Sequence, residues 1–436
     1  MAASFRKYLD KKADVQARPL HHNLATATDN IDAVVVIPAL AEKDHLFRTL
    51  DFLAQNPADD LDRTLVICVI NNRRQPPATP DQVRNNQETL AQLEAMVRSC
   101  QPLRLGYIDA SSPGCELPDK GGVGLARKIG LDCGLALLAD NARDDGLLVC
   151  LDADTRVEAN YLPALRNSFA QPGAWAAVVD YAHEARTREA KSPEETAAVT
   201  CYEIFLRYHV LGLAYAGSPY AFPTIGSTMA CTARAYVAVA GMNQRQAGED
   251  FYFLQQLAKT GPVRRISETT VHPSPRPSWR VPFGTGQRVG RFLAGGQDEY
   301  VLYDPRTYDV LKRWLEAVRQ GLDDSAAGLL ARAEVVSPPL RMFLEQAGFS
   351  AVWPGLQKNN PDVQRRLAQF HRWFDGFKTI KLVHYLRDNG YPEVEMFGAI
   401  RELIEWSSQR ALALAWESLK DDLQGQALLL DFLRRL

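Results

Sequence analysis

Two aspartates one residue apart, Asp152-Ala153-Asp154, follow directly on the apolar run Leu147-Leu148-Val149-Cys150-Leu151. A carboxylate pair at the end of a buried strand can approach one divalent cation and leave its other positions to water or phosphate oxygens, as magnesium prefers. The same spacing recurs at Asp60-Leu61-Asp62 in what reads as a solvated turn, so the strand end is what separates the two. A second acid pair, Glu249-Asp250, lies at the start of a helix beginning near Phe251, where acids also gather because they suit the helix dipole. A carboxylate held there could take a proton from a hydroxyl.

Lys120 and the glycines at 121, 122 and 124 place a cation and a supple backbone at a helix start, a setting suited to phosphate. Neither the P-loop spacing nor the dinucleotide spacing is present. Glu42, beyond Pro38 at the mouth of the first strand, could accept hydrogen bonds from a base or a ribose, or simply stabilise a helix start. Asn72, after the second strand, could do the same or belong to a turn. His272 opens a loop carrying Arg276 and Arg280; a lone histidine is usually structural, and the arginines could neutralise an anion.

Positioning these groups requires a sheet. Ala33-Val34-Val35-Val36-Ile37, stopped by Pro38, reads as a strand buried on both faces, followed by helical spacing at Leu46, Phe47, Leu50 and Leu53. Strands are expected at 64–70, 103–108 and 147–151, with helices around Leu90 to Val97 and from Val123 to Ala139 between them. Such alternation predicts an α/β fold with a mostly parallel sheet and helices on both faces, whose ligands gather at the carboxyl ends of the strands. From Asp180 to Gly261 the alternation loosens into helices and loops, before a further strand at 263–271. Stripes at Leu311, Trp314, Leu315 and Val318, and at Leu367, Phe370, Trp373, Phe374 and Phe377, predict packed helices in a C-terminal α-helical module. The expected division is an extension at 1–30, a catalytic domain at 31–300 and the helical module at 301–436.

The 436 residues carry 50 Lys+Arg against 52 Asp+Glu, which gives no bulk attraction to nucleic acid. Seven scattered cysteines without a C-x-x-C pair fit a reducing, cytoplasmic setting. No stretch reaches the roughly 18 to 20 apolar residues of a membrane span, which leaves peripheral membrane contact and homo-oligomer formation open.

In order along the chain, Val35-Val36-Ile37-Pro38-Ala39-Leu40-Ala41-Glu42, Asn71-Asn72, Asp119-Lys120-Gly121-Gly122-Val123-Gly124-Leu125-Ala126-Arg127-Lys128, Asp152-Ala153-Asp154, Gly226-Ser227-Thr228-Met229-Ala230 and Gly248-Glu249-Asp250-Phe251 resemble the family 2 glycosyltransferases and their GT-A relatives. The resemblance covers roughly Ile31 to Arg291. It implies a GT-A fold, a UDP- or GDP-sugar donor, a hydroxyl acceptor, and Mg2+ or Mn2+ held by Asp152 and Asp154 with His272 completing the set. It further implies donor contacts from Pro38, Glu42, Asn72, Lys120, Arg127, Asp152, Arg276 and Arg280, an acceptor pocket near Tyr215, Tyr220 and Phe222, and inverting transfer with Asp250 as base and Glu249 in reserve.

Asn72 departs from the acid often found there in the family. Gly286 to Arg291 lacks the tryptophan of the Q-x-x-R-W element, which together with the missing spans excludes a processive synthase. Retaining GT-A enzymes acting on small acids such as glycerate share the acid pair and the histidine and are the nearest alternative. Sugar-phosphate nucleotidyltransferases are disfavoured because their Gly-rich, Arg-bearing loop is replaced by Pro38-Ala39-Leu40-Ala41-Glu42. A nucleotide-binding assembly module without catalysis is the alternative of another class.

Overall fold

Nine strands make one sheet in the computed structural model, which describes residues 2–13, 18–24, 30–99, 102–141, 143–183, 192–276, 285–295, 298–407 and 414–436. The strands are β1 (Leu20–His22), β2 (Ala33–Ala39), β3 (Thr64–Asn71), β4 (Arg104–Ala110), β5 (Leu147–Cys150), β6 (Thr155–Val157), β7 (Ala176–Tyr181), β8 (Met229–Thr232) and β9 (Val263–Pro273). Their order is β1-β4-β3-β2-β5-β8-β7-β9-β6. The long ladders β4-β3-β2-β5 and β7-β9 are parallel, whereas β1, β6 and β8 pair antiparallel over short stretches. Every residue of β2 and β3 is buried, so both faces of the sheet are covered, as an α/β architecture requires.

The strand β2 runs through Pro38 rather than stopping at it. Its ladder with β5 ends at Val36, so the missing proline N–H falls where pairing on that side has already ceased. The helix Val123–Asp140 lies close on β2 because Gly130 faces it: a Cβ there would stand 2.4 Å from Val36 Cγ1. This approach carries the start of that helix, and Arg127 with it, over the carboxyl ends of the central strands. On the same helix Lys128 Nζ donates to Asp132 Oδ2 at 2.6 Å and to Tyr8 OH at 2.7 Å, while Tyr8 and Tyr236 both donate to Asp132 Oδ1. Burial raises the pKa of both tyrosines. A buried ion pair so fully hydrogen-bonded ties the N-terminal helix Ala2–Lys12 to the sheet unit.

Two compact units divide the chain: residues 1–184 with 224–284, and residues 185–223 with 285–436. Residues 192–223, 285–295 and 298–300, expected in the catalytic domain, therefore pack with the C-terminal helices. The helix Pro193–Tyr215 explains why. It buries Cys201, Ile204, Tyr208 and Leu213 in one core with Tyr308, Leu311 and Trp314. The aromatic stripes are packing surfaces: Trp314 meets Phe349, Phe370 and Phe374 edge-on, and Phe370 stacks on Phe374 with centroids 5.6 Å apart. Phe377, at the end of its stripe, is exposed. No described helix is long and apolar enough to cross a membrane.

Candidate active site

The strand β5 delivers Asp152 and Asp154 at its carboxyl end, and a buried bond from Thr49 Oγ1 to the Ala153 carbonyl at 2.9 Å fixes the residue between them. Asp152 Oδ1 pairs with Arg127 Nη2, and its Oδ2 accepts from Ser227 Oγ at 2.6 Å. The Ser227 and Thr155 hydroxyls are in turn 2.8 Å apart. Arg127 is buried, and its Nη1 donates to the Gly226 carbonyl at 3.4 Å. A Cβ at 226 would lie 2.2 Å from Arg127 Nη2, so any larger residue there must displace the guanidinium.

The same guanidinium reaches the second acid pair, with Arg127 Nε 3.6 Å from Glu249 Oε1. Burial pushes the Glu249 carboxyl up to about 7 against the pull of Arg127, and Asp250 adds to the rise. Burial raises Asp250 as well; its Oδ1 accepts from the Phe251 N–H at 2.7 Å. One buried cation thus faces three carboxylates, a setting in which a proton is retained by one of them. Burial works to lower the pKa of Arg127 itself, but Asp152 and Glu249 outweigh it and the guanidinium stays charged.

On the other side of Asp154 stands Arg276. The pairing of β6 with β9 sets Thr155 opposite Pro273, so the chain leaving β9 runs alongside Asp154. Arg276 Nε donates to Asp154 Oδ2 at 3.0 Å, and Arg276 Nη2 contacts both Asp154 Oδ2, at 2.8 Å, and Glu42 Oε1. Glu42 is buried at the N-terminus of the helix Lys43–Leu53, and its backbone carbonyl accepts from the His45 and Leu46 N–H groups. Ala41 just before it has φ +53°, and its N–H donates to Asn86 Oδ1 at 2.9 Å. Asn86 Nδ2 also donates to Asn72 Oδ1 at 3.0 Å, joining the turns after β2 and β3.

Glu42, Asp154 and Arg276 are therefore brought together, as are Asp152, Arg127 and Glu249 beside Asp250. Pro38 is buried in β2 and Lys120 is exposed. His272 has other company: its Nε2 lies 2.6 Å from Glu158 Oε1 and its Nδ1 3.2 Å from the Ala182 carbonyl. Burial lowers the His272 pKa despite Glu158. Among the described residues no three His, Cys, Asp or Glu side chains group as a metal cage. Arg280 lies outside the described residues. Tyr215 and Tyr220 belong to the helical unit, where Tyr215 OH donates to Asp309 Oδ1 at 3.2 Å and Tyr220 OH to the His371 carbonyl at 2.6 Å. Ser227, Thr155, Asn86 and Glu158 join these contacts without standing out in the sequence, except that Ser227 falls inside Gly226-Ser227-Thr228.

A divalent cation fits the donor set. Asp152 and Asp154 offer hard oxygens and are part exposed, at 32% and 22%, and magnesium is content with one or two carboxylates if phosphate and water supply the rest.

No family model matches the chain, and no curated protein does. Three solved structures to which it is similar are TarS of S. aureus, residues 1–349 in complex with UDP-GlcNAc (12% identity, 84% of this chain and 99% of that one, TM-score 0.39), the mannosyltransferase PcManGT of Pyrobaculum calidifontis with GDP-Man and Mn2+ (17%, 85% and 93%, 0.35), and a mycobacterial protein (15%, 63% and 78%, 0.34). At these TM-scores the likenesses add no weight to the geometry just described.

Proposed function

We propose that the chain is a glycosyltransferase that moves a sugar from a nucleotide-diphosphate donor, UDP- or GDP-linked, to a hydroxyl acceptor. One observation carries this reading: the strand-end pair Asp152 and Asp154 and the helix-start pair Glu249 and Asp250 meet at the carboxyl edge of a mostly parallel sheet, coupled by the buried Arg127. Crevices at that edge are where open α/β sheets bind ligands. Asp152 and Asp154 would hold Mg2+ or Mn2+, which supplies positive charge against the diphosphate.

Asp250 acts as the base. Glu249 is buried against Arg127, whereas Asp250 is part exposed, and burial raises the basicity of its carboxylate. As the acceptor oxygen bonds to the anomeric carbon, its proton passes to an Asp250 oxygen, the bond from that carbon to the diphosphate oxygen breaks, and the nucleoside diphosphate leaves. Attack opposite the leaving group inverts the configuration. Arg276, aimed at the same edge as Asp154, meets the negative charge that develops on the leaving diphosphate.

A panel of UDP- and GDP-sugars with Mn2+ tests the reading through slow donor hydrolysis. Wild type should hydrolyse one donor, Asp154→Ala should lose that activity, and Asp250→Asn should keep donor binding but lose transfer to the acceptor. Hydrolysis of none of the donors, or hydrolysis unchanged in Asp154→Ala, sinks it.

A further inference from the structure

Glu42 and Asp154 were expected to do separate work, one toward the nucleoside and one toward the cation, yet the structure spends one side chain on both. Arg276 Nη2 touches Glu42 Oε1 and Asp154 Oδ2, and Arg276 Nε adds a second bond to Asp154. The position a divalent ion would take on Asp154 is thus already met by a guanidinium. The partners differ in reach: Glu42 is 7% exposed, while Asp154 and Arg276 are 22% and 25% exposed. A cation arriving from solvent meets Asp154 first. A planar guanidinium with several donors can give up one carboxylate and keep another.

Resting on the donor-site reading above, we propose that Arg276 is the resident counter-cation of the donor site. It holds the Asp154 and Glu42 carboxylates together before the donor binds, yields Asp154 to the divalent ion, and turns its freed donors to the diphosphate that arrives with it. The bridge explains how the Glu42 and Asp154 carboxylates can stand close together without mutual repulsion driving them apart. It also makes metal binding and donor binding cooperative. The ion alone must displace Arg276, whereas the ion with a diphosphate offers Arg276 a new partner. By linkage, the factor by which the diphosphate tightens the ion is the factor by which the ion tightens the diphosphate.

The test is a set of calorimetric titrations on the full chain, one with Mn2+ alone and one each with UDP and GDP in saturating Mn2+, in wild type, Arg276→Gln and Arg276→Lys. Removing the guanidinium should tighten Mn2+ alone by at least about fivefold, the lower end of usual coupling between sites, and weaken the nucleoside diphosphate that wild type binds by a similar factor. Arg276→Lys, which keeps the charge, should stay near wild type for Mn2+ alone. Mn2+ affinity unchanged or weakened in Arg276→Gln overturns the exchange, because a merely structural arginine would weaken both ligands together. If no protein in the set binds either ligand, the donor-site reading itself is overturned, and the exchange with it.

Discussion

Arg127 faces more negative charge than it can neutralise, and the excess has a signature in pH. Its neighbour Glu249 has its carboxyl pushed up from the ordinary 4.5 to about 7, chiefly by burial. The folded chain therefore holds a proton there that the unfolded chain has released, and stability falls as pH rises from 4.5 to about 7. Glu249→Gln should abolish that part of the slope. At about 1.4 kcal/mol per pH unit, its stability relative to wild type should improve by up to ~3 kcal/mol between pH 4.5 and 8, as read by denaturant melts at each pH. Residue chemistry at this scale was partly legible in the sequence. Asp152, Asp154, Glu249 and Arg127 stand in motifs whose types and order announce them. The Arg276 bridge was not legible, since its carboxylate partners lie 122 and 234 residues away in sequence. A separation of 114 residues likewise hid Glu158, which engages the histidine expected on the metal.

Elements deliver those residues only if they pack at the right depth. The helix Val123–Asp140 owes its closeness to the sheet to a missing side chain at 130, and its start presents Arg127. Gly130→Val should force that helix off β2, destabilise the fold by about 1–3 kcal/mol as overpacked cores do, and weaken donor binding through the displaced Arg127, one turn away on the same helix. Thermal melts and UDP titration of the same variant check both halves. The buried parallel strands β2, β3 and β5 were readable because both faces are apolar, so their runs are continuous. The strands β7 and β8 were missed. Met229–Thr232 is four residues long and antiparallel, and Ala176–Tyr181 carries no alternation against its background.

The whole chain does not divide at one point. It leaves the sheet unit at 185, contributes the helix Pro193–Tyr215 to the helical unit, and returns at 224. A chain ended at 284 would keep that helix without the residues that bury Cys201, Ile204, Tyr208 and Leu213. It should aggregate where the full chain stays soluble, a difference that size-exclusion chromatography reads directly. The inserted segment was illegible because a helix apolar on most of its circumference looks the same whichever core it enters.

The buried knot of Tyr8, Lys128, Asp132 and Tyr236 carries a consequence for biosynthesis. The helix Ala2–Lys12 emerges from the ribosome with Phe5 and Tyr8 bare, and the partner of Tyr8 at Lys128 follows 120 residues later. At elongation rates of about 5–20 residues per second, that helix spends several seconds as an unburied amphipathic segment. Through that interval it is a natural client for a chaperone at the tunnel exit. The speed of translation between Tyr8 and Tyr236 therefore becomes a variable in how much folded protein a cell obtains.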